Sequence, residues 1–332
     1  MRMLVTGGAG FIGSHFIDSV ARTDTELFCV DALTYAGCIR NIRAHIEDGR
    51  VGFFCADIRD RTAMEKIFRD IRPDTVVNFA SESHVDRSLC EPLLFTDTNT
   101  LGTAVLLEMA RKYGATRFHQ VSTDEVYGDL PLSGGEPFGE EAALKPSSPY
   151  SASKASADLL ALSYRRSFGL SVTVSRSSNN YGARQFPEKL IPKTLLTAMK
   201  GDAVAIYGKG LNLRDWIYVG DHVEAIRLIL EKGQTGGIYN IGTGDERSSL
   251  EMATRVLSLA GLEGAKIEFT EDRPGHDLRY SMRLDKIESL GFRPRVSLDE
   301  GLRATVDWYK NNSDFLGSIL SLDYQRENDL FR

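Results

Sequence analysis

The chain has 332 residues, which at roughly 100–200 residues per domain predicts one large or two modest domains with a sizeable core. Its composition, 42% hydrophobic and 26% charged, excludes a disordered or fibrous chain. With 40 basic and 46 acidic residues the net charge is −6, which argues against a general nucleic-acid-binding protein, since that class normally has a basic surplus.

Targeting and metal-binding signals are also missing from the sequence pattern. No apolar run approaches the roughly 20 residues that span a bilayer, and the first residues lack a signal-peptide pattern, so no membrane association is expected. The four cysteines, Cys29, Cys38, Cys55 and Cys90, show no CxxC or Cys/His metal spacing. They are typical of reduced thiols in a cytoplasmic protein without a metal site.

The first 180 residues alternate short apolar segments with amphipathic ones. The predicted strands are Met3–Thr6, Leu27–Val30, Val51–Phe54, Thr75–Phe79, Phe118–Ser122 and Leu170–Val174. The predicted helices are Phe11–Val20, Thr62–Ile71, Asn99–Lys112 and Tyr150–Phe168. Strands separated by helices of this length form βαβ units. We therefore predict an α/β fold in which residues 1–180 form a Rossmann-like, doubly wound parallel sheet with helices on both faces.

After residue 180 turn residues become frequent and the elements become shorter. Helices are predicted at Pro187–Lys200, Asp221–Glu231, Ser249–Ala260 and Leu298–Asn311. This texture predicts a smaller, mixed α/β substrate domain over residues 181–315, packed on the first domain with a cleft between them. Residues 316–332 form a polar tail, and the chain from Asn312 onwards is expected to be poorly ordered.

A glycine-rich loop follows the first strand and opens the first helix. It reads Thr6-Gly-Gly-Ala-Gly-Phe-Ile-Gly13 and fits the dinucleotide-binding pattern. Glycines there permit a tight turn and a close approach of the backbone to a pyrophosphate, and the helix N-terminus supplies amide donors. We expect Gly7, Gly10, Phe11, Ile12 and Gly13 to contact a dinucleotide.

Acidic residues after the next strands indicate which dinucleotide binds. Asp31 stands 18 residues after Gly13, near the spacing of about 20 for the acid that binds the adenosine ribose. A carboxylate there repels a 2′-phosphate, so NAD is favoured over NADP. Asp57 and Ile58 follow the third strand and are expected beside the adenine, although Asp57 could instead cap the next helix. Ala80 and Ser122, after the fourth strand and at the end of the fifth, are further candidate cofactor contacts.

Tyr150 and Lys154 form a Y-x-x-x-K pair on a predicted helix, where an i, i+4 spacing places both on one face. An ammonium group and an oxidised nicotinamide would both favour tyrosinate, so the pKa of Tyr150 is expected to be lowered towards that of a useful base. A hydroxyl group at Ser122 or Thr123 would help to orient a substrate alcohol. A tyrosine and a lysine at this spacing are common by chance. Here the pair follows a dinucleotide-binding loop at the expected place in the fold, which favours a catalytic role.

These motifs resemble those of the extended short-chain dehydrogenases/reductases over about Met1 to Trp308. Within that superfamily, Thr123-Asp-Glu-Val-Tyr-Gly128 is similar to the nucleotide-sugar 4,6-dehydratases, most of all to those that act on dTDP-glucose. Other matching stretches are Leu33–Gly37, Glu82–Ser88, Ser178–Gly182, Pro187–Pro192, Leu213–Trp216 and Asp272–His276. The resemblance implies an NAD-dependent lyase that oxidises C4 of a nucleoside-diphosphate hexose, eliminates water across C5 and C6, and returns the hydride to C6.

The chemistry of elimination explains the neighbouring carboxyl groups of Asp124 and Glu125. A C4 ketone acidifies the C5 proton, and loss of water then needs a base at C5 and an acid at the C6 oxygen. Two carboxyl groups packed together titrate as a coupled pair, so one can stay protonated near neutrality. The resemblance makes Asp124 the acid and Glu125 the base, with Thr123, Tyr150 and Lys154 completing the catalytic set.

A dianionic diphosphate requires local positive charge in an acidic protein, and the resemblance assigns Arg214 and Arg273 to it. His84 and Arg87 are expected on the nicotinamide side, and Ser81, Glu82 and Ser83 along the sugar pocket. The remaining candidate wall or nucleotide contacts are Asn179, Asn180, Lys189, Leu190, Tyr207, Asn212, Asn240, His276 and Tyr280. The superfamily also uses two of its long helices for pairing, which implies a homodimer.

Several alternatives stay open at this stage. The sequence does not decide between dTDP, UDP, CDP and GDP, nor between glucose and N-acetylglucosamine; UDP-glucose and UDP-N-acetylglucosamine are the main other substrates. A nucleotide-sugar 4-epimerase shares the glycine loop and Y-x-x-x-K but lacks the Asp-Glu pair. A catalytically dead NAD-sensing regulator is disfavoured because both motifs are intact.

Overall fold

A computed structural model describes residues 1–332, except for the side chain of Leu320. The strands are β1 Arg2–Thr6, β2 Glu26–Asp31, β3 Val51–Cys55, β4 Thr75–Asn78, β5 Arg117–Thr123, β6 Val172–Ser177, β7 Asn179–Tyr181, β8 Val204–Tyr207, β9 Leu213–Tyr218, β10 Ile238–Ile241, β11 Glu246–Ser248 and β12 Ile267–Thr270. The α-helices are α1 Phe11–Val20, α2 Arg43–Glu47, α3 Arg61–Ile71, α4 Val85–Cys90, α5 Pro92–Phe95, α6 Thr103–Tyr113, α7 Pro149–Phe168, α8 Leu190–Met199, α9 Val219–Lys232, α10 Ser249–Ala260, α11 Asp285–Ser289, α12 Leu298–Asn311, α13 Ser313–Leu320 and α14 Asp323–Asp329. A π-helical segment, Thr96–Gly102, leads into α6, and short 3-10 turns cover Ile39–Asn41 and Asp124–Tyr127.

The predicted Rossmann-like sheet is confirmed. Seven parallel strands lie in the order β3-β2-β1-β4-β5-β6-β10, which contains the 3-2-1-4-5-6 order of doubly wound dinucleotide-binding sheets. The carboxyl ends of these strands meet at one edge of the sheet. The glycine loop, Asp31, Asp57, Ala80 and the Asp-Glu pair all follow strand ends, so the topology alone brings them together.

Helices cover both faces of this sheet. On one face α1 and α9 bury apolar side chains such as Phe16 and Ile226. On the other, α3, α6 and α7 contribute a second cluster that includes Phe68, Leu106 and Ala161. These residues recur at helical spacing, so the sheet is buried on both faces, as a parallel sheet requires. None of the described helices is both long enough and apolar enough to cross a bilayer.

The long helix α7 has strong sequence signals at both ends. Ser148 caps it through a reciprocal capping box with Ser151, Pro149 occupies the first turn, and Gly169 ends it in a left-handed conformation at φ +73°. These signals fix the helical register that carries Tyr150 and Lys154.

The second half of the chain forms a three-stranded sheet, β11-β9-β7, and a two-stranded sheet, β12-β8, with α8, α10 and α12 around a core that includes Leu195 and Leu302. The domain boundary was expected at residue 180, but the large sheet includes a strand from beyond that residue. Strand β10 pairs with β6 as its seventh strand, and α9 packs on α1. The chain therefore returns to the first domain after it has entered the second.

The expectation of a poorly ordered tail is wrong. Residues 313–329 form α13 and α14, and Ile319, Tyr324 and Cys38 share a small buried cluster. The polar composition misled the prediction because the buried contacts of the tail rely on hydrogen bonds to a distant loop as much as on apolar side chains.

Candidate active site

A cavity of about 490 Å³ lies at the carboxyl edge of the large sheet and extends towards the second half of the chain. All the residues expected to contact the cofactor line it: Gly7, Gly10, Phe11, Ile12, Gly13, Asp31, Asp57, Ile58, Ala80, Ser122, Tyr150 and Lys154. Thr123, Asp124 and Glu125 line it as well. The candidate cofactor and acid–base groups therefore share one space.

Two glycines of the loop are required by its geometry. Gly7 has φ +71°, and a Cβ atom there would lie 2.6 Å from the backbone nitrogen of Ala80. A Cβ atom on Gly13 would lie 2.3 Å from the carbonyl oxygen of Gly7. The N-cap of α1 is Gly10, which has no side chain to cap the helix, so the first-turn amides remain available to an anion.

Asp31 is 8% exposed and organises the loop as well as facing the cavity. Its carboxylate accepts hydrogen bonds from the amides of Ala9 at 2.9 Å and Leu33 at 2.8 Å. Burial raises the pKa of Asp31, while these two amide donors oppose that rise. The carboxyl group of Asp31 is therefore held in one orientation by the backbone of the loop.

Asp57 does not cap a helix. The N-cap of α3 is Asp60, whose side chain accepts from the amides of Thr62 and Ala63. Asp57 instead pairs with Arg59 at 2.6 Å, and both line the cavity. The structure thus removes the alternative assignment of Asp57 as a helix cap and places it on the wall of the cavity.

An unpartnered polar atom on the cavity wall also fits the binding of a dinucleotide. The hydroxyl oxygen of Ser178 is buried and has no hydrogen-bond partner among the described residues, and Ser178 lines the cavity. Buried polar atoms in native proteins usually have a partner. Together with the uncapped helix and Asp31, this unpartnered hydroxyl group is suited to a polar atom of a bound dinucleotide.

Tyr150 and Lys154 lie on the buried side of α7, but they do not behave as the sequence suggested. The Lys154 ammonium donates to the carbonyl oxygen of Val121 at 2.6 Å, and burial lowers its pKa to about 8. Burial, together with the nearby carboxyl groups of Glu125 and Asp124, raises the pKa of Tyr150 well above its usual range. The protein groups alone therefore oppose the tyrosinate, contrary to the expected lowering, because Tyr150 is buried and lies beside the carboxyl pair.

The two carboxyl groups of the pair, Asp124 and Glu125, have different surroundings. Asp124 is 3% exposed, and its pKa is raised well above the usual range by burial and by the charge of Glu125. Burial also raises the pKa of Glu125, but Arg273, Arg214 and Lys189 oppose that rise. Arg214 opposes the rise in pKa at Asp124 as well, and the surroundings favour the protonated form more strongly at Asp124 than at Glu125.

The structure places the expected substrate residues in two groups. Ser81, Ser83, Asn179, Asn180 and Lys189 line the main cavity. Lys189 donates to the carbonyl oxygen of Ser83 at 2.7 Å, and Asn180 contacts His222 Nδ1 at 2.7 Å. The second group does not line the cavity: His84, Leu190, Tyr207, Asn212, Arg214, Asn240, Arg273, His276 and Tyr280.

Arg214 and Arg273 nevertheless lie near the carboxyl pair, since both act on the charge of Glu125. Arg214 is 6% exposed, donates to the carbonyl oxygen of Asp277 at 2.9 Å, and stacks on the Tyr280 ring at 4.1 Å. Arg273 contacts Asp86 at 3.3 Å, and Asp86 also accepts from the Tyr207 hydroxyl group at 3.0 Å. Neither arginine is a freely solvated surface residue.

The expectation for Asn240 is wrong. This residue is fully buried on β10. Its side-chain oxygen accepts from Tyr127 at 2.7 Å, and its amide nitrogen donates to the carbonyl oxygens of Phe138 and Arg283. Both hydrogens of its amide group are used in these bonds, and the residue does not line the cavity, so the side chain joins β10 to the loops around it.

Known proteins resemble this chain over nearly its whole length. The family model described as GDP-mannose 4,6 dehydratase matches residues 4–305. The chain belongs to this family. A dTDP-glucose 4,6-dehydratase from Shigella flexneri is 43% identical, with 98% of this chain and 97% of that protein covered.

Solved structures show the same fold in two kinds of enzyme. The dTDP-glucose 4,6-dehydratase DesIV from Streptomyces venezuelae, solved with NAD bound, superposes with a TM-score of 0.91 at 43% identity and covers 95% of this chain and 98% of its own. A UDP-glucose 4-epimerase from Thermus thermophilus, also solved with NAD, reaches 0.87 at 35% identity, covering 94% and 100%. The fold alone therefore does not separate a 4,6-dehydratase from a 4-epimerase.

Several residues line the cavity although the sequence pattern predicted no role for them: Thr34, Tyr35, Arg59, Gln185, Phe186 and Glu188. Tyr35 donates to Glu188 at 2.9 Å, and the Arg87 guanidinium lies 3.9 Å from the centre of its ring. The position of Tyr35 four residues after Asp31 was the available signal. Its partners come from more than 50 residues away in the sequence, which local patterns do not reveal.

Proposed function

We propose that this chain is an NAD-dependent dTDP-glucose 4,6-dehydratase, a hydro-lyase that forms the 4-keto-6-deoxy sugar nucleotide. The observation that carries the proposal is the Asp124–Glu125 pair, of which Asp124 is buried and which lies in the same cavity as Tyr150 and Lys154. The similarity of the full chain to curated dTDP-glucose 4,6-dehydratases supports the choice of substrate.

The residues divide the reaction between oxidation and elimination. When it is bound, NAD supplies a reversible hydride acceptor beside the sugar. Tyr150 takes the proton of the C4 hydroxyl group, and the charge of Lys154 on the same helical face favours the resulting tyrosinate. Thr123 and Ser122 lie at the end of β5, where their hydroxyl groups can orient the substrate.

Elimination then uses the two carboxyl groups in opposite protonation states. Glu125 takes the C5 proton, the C6–oxygen bond breaks, and Asp124 gives its proton to the leaving oxygen, which departs as water. The two pKa shifts support this division, since burial and the charge of Glu125 raise the pKa of Asp124 well above its usual range, while three cations oppose the rise at Glu125. We assign Arg214 and Arg273 to the diphosphate, and Lys189 and Asn180 to the wall between cofactor and sugar.

The deciding experiment incubates the purified protein with a panel of sugar nucleotides and reads the product mass. We expect dTDP-glucose to lose one water, and we expect Asp124→Asn, the matched control, to slow that loss by about 10²-fold or more. A product of unchanged mass with an inverted C4 centre would assign a 4-epimerase instead. Loss of water only from a UDP sugar would keep the reaction and change the substrate.

We also propose a homodimer that acts in the cytoplasm. Leu93, Leu101 and Leu159 are 77%, 53% and 59% exposed, on α5, on the π-helical segment and on α7, which pack together. Exposed apolar side chains on neighbouring helices are typical of interfaces. Leu159→Glu should convert a dimer to a monomer in light scattering, whereas Leu132→Glu, in a loop, should not. The four free cysteines suit a reducing compartment.

A further inference from the structure

The last ten residues, 323–332, dock against the loop that follows β2. We call them the clasp, and we call residues 33–41 the cofactor loop. Asn328 lies at the centre of the contact and is fully buried. Its side-chain oxygen accepts from the amide of Ile39 at 2.9 Å, and its side-chain nitrogen donates to the carbonyl oxygen of Gly37 at 2.7 Å. One amide side chain therefore satisfies a donor and an acceptor of the loop backbone.

Other contacts surround this pair. The Tyr324 hydroxyl group donates to the carbonyl oxygen of Tyr35 at 2.6 Å, and Tyr324 is 1% exposed. Arg332 donates to the carbonyl oxygen of Leu33 at 2.9 Å. The clasp thus binds the backbone of the cofactor loop at four residues: Leu33, Tyr35, Gly37 and Ile39.

The cofactor loop forms a wall of the cavity. Thr34, Tyr35, Ala36 and Gly37 all line it beside Asp31. Leu33 has φ +48°, a left-handed conformation that is unfavourable for a leucine and persists only where its surroundings hold it. Asp31 bonds to the amide of Leu33 from inside the cavity, and the clasp bonds to its carbonyl oxygen from outside.

The same loop reaches the opposite wall of the cavity. The Tyr35 hydroxyl group donates to Glu188 at 2.9 Å, next to Lys189, which contacts Ser83. The Tyr35 ring also packs edge-on against Phe186 at 5.5 Å, and Phe186 packs against Tyr324 at 6.3 Å. The backbone of Tyr35 is held by the clasp, while its side chain helps to close the cavity.

We propose that Asn328 and Tyr324 are positioning residues that hold the cofactor loop in the shape that encloses the adenosine side of the bound dinucleotide, and that the clasp thereby slows cofactor release. This inference rests on the proposed function, since it takes NAD as the ligand. Neither residue lines the cavity, so both act through the loop. An enzyme that regenerates its cofactor in every turnover gains from slow release of that cofactor.

The test compares Asn328→Ala and Tyr324→Phe with a matched control, Arg326→Ala. Arg326 lies on the same helix, and its side chain is 85% exposed. The full-length proteins are stripped of cofactor, and NAD binding is measured by calorimetry well below the melting temperature of each variant. Hydrogen exchange at the amide of Ile39 is followed in parallel, because that amide bonds directly to Asn328.

We expect faster exchange at Ile39 and weaker NAD binding in Asn328→Ala. If the loop keeps its binding shape for about one-tenth of the time, the apparent Kd rises about tenfold. Tyr324→Phe should weaken NAD binding less, because it removes only one hydrogen bond. It keeps the packing of the aromatic ring, so it still tests the inference if Asn328→Ala does not fold. Arg326→Ala should match the wild type.

The outcomes separate this inference from the proposed function. A wild type that binds NAD while both variants bind it equally well, with only a lower melting temperature, would overturn the inference, since the clasp would then serve stability alone. A wild type that binds no NAD would overturn the proposed function and the inference with it. Weaker binding in the two variants and unchanged binding in Arg326→Ala would support it.

Discussion

The Thr123 hydroxyl group donates to one carboxylate oxygen of Asp124 at 3.2 Å, while the other oxygen of Asp124 is buried without a hydrogen-bond partner in the described chain. An unpaired buried carboxyl oxygen is costly when it is charged, so this arrangement favours the protonated acid. In the proposed function this is the form that gives a proton to the leaving oxygen, next to Glu125 as the proposed base.

The first prediction concerns Asp124→Asn and Glu125→Gln. Both variants should bind NAD and still reduce some of it in the presence of substrate, because the first oxidation uses Tyr150. Product formation should fall by about 10²-fold or more, the scale of general acid–base catalysis. Rapid-reaction absorbance of the reduced cofactor and product mass are measured together. Normal turnover in either variant would contradict the assigned roles.

Tyr150→Phe should fail at an earlier step. It removes the group that takes the C4 hydroxyl proton, so neither reduced cofactor nor product should accumulate. Tyr164→Phe, near the other end of the same helix, is the control and should react as the wild type does. Undiminished cofactor reduction in Tyr150→Phe would move the base to another residue.

These roles show how far the sequence predicts the site. The glycine loop, Asp31 and the Tyr150–Lys154 pair depend on short spacings next to strands and helices, and the fold preserves such spacings. Asn240 was misplaced because its role depends on Tyr127 and Phe138, more than 100 residues away. The raised pKa of Tyr150 depends on how closely the carboxyl pair packs against it, and that packing is a three-dimensional property.

The third prediction concerns acid stability. His119 is fully buried between Thr173 and Ser175, and burial, with a smaller effect from His222, lowers its pKa from 6.5 to about 3. Between these values the unfolded chain binds a proton that the folded chain does not, so the free energy of unfolding falls as the pH falls below 6.5. At about 1.4 kcal/mol per pH unit the loss reaches about 2 kcal/mol near pH 5.

Urea unfolding of the wild type and His119→Gln at several pH values checks this prediction. The variant can be less stable throughout, but its stability should fall by about 2 kcal/mol less than that of the wild type between pH 6.5 and about pH 5. Between pH 7 and 8 the two should run parallel. Equal acid dependence in both proteins would show that His119 is not the titrating group.

The fourth prediction concerns cofactor choice at Asp31. Replacement by Ala should weaken NAD binding by about 1.5–3 kcal/mol, the contribution of hydrogen bonds to a charged acceptor, and should relax the repulsion of a 2′-phosphate. Because Asp31 also accepts from Ala9 and Leu33, Asp31→Asn is the better control, since it keeps one acceptor oxygen for the loop. Equal affinity of the wild type for NAD and NADP would refute this role.

The last prediction concerns Arg214 and Arg273. The net charge of −6 offers a dianionic substrate no long-range attraction, so a few fixed guanidinium groups must supply it. Arg214 is held by the carbonyl oxygen of Asp277 and by the Tyr280 ring, whereas Arg273 is paired with Asp86 and must exchange that partner for phosphate.

Lysine cannot reproduce the bidentate geometry of arginine. Either Arg→Lys variant should therefore raise KM much more than it lowers kcat, because these contacts hold the ground and transition states alike. Asp86→Asn, which frees Arg273, should leave KM the same or lower it. Steady-state kinetics with an unchanged KM in both lysine variants would place the diphosphate elsewhere.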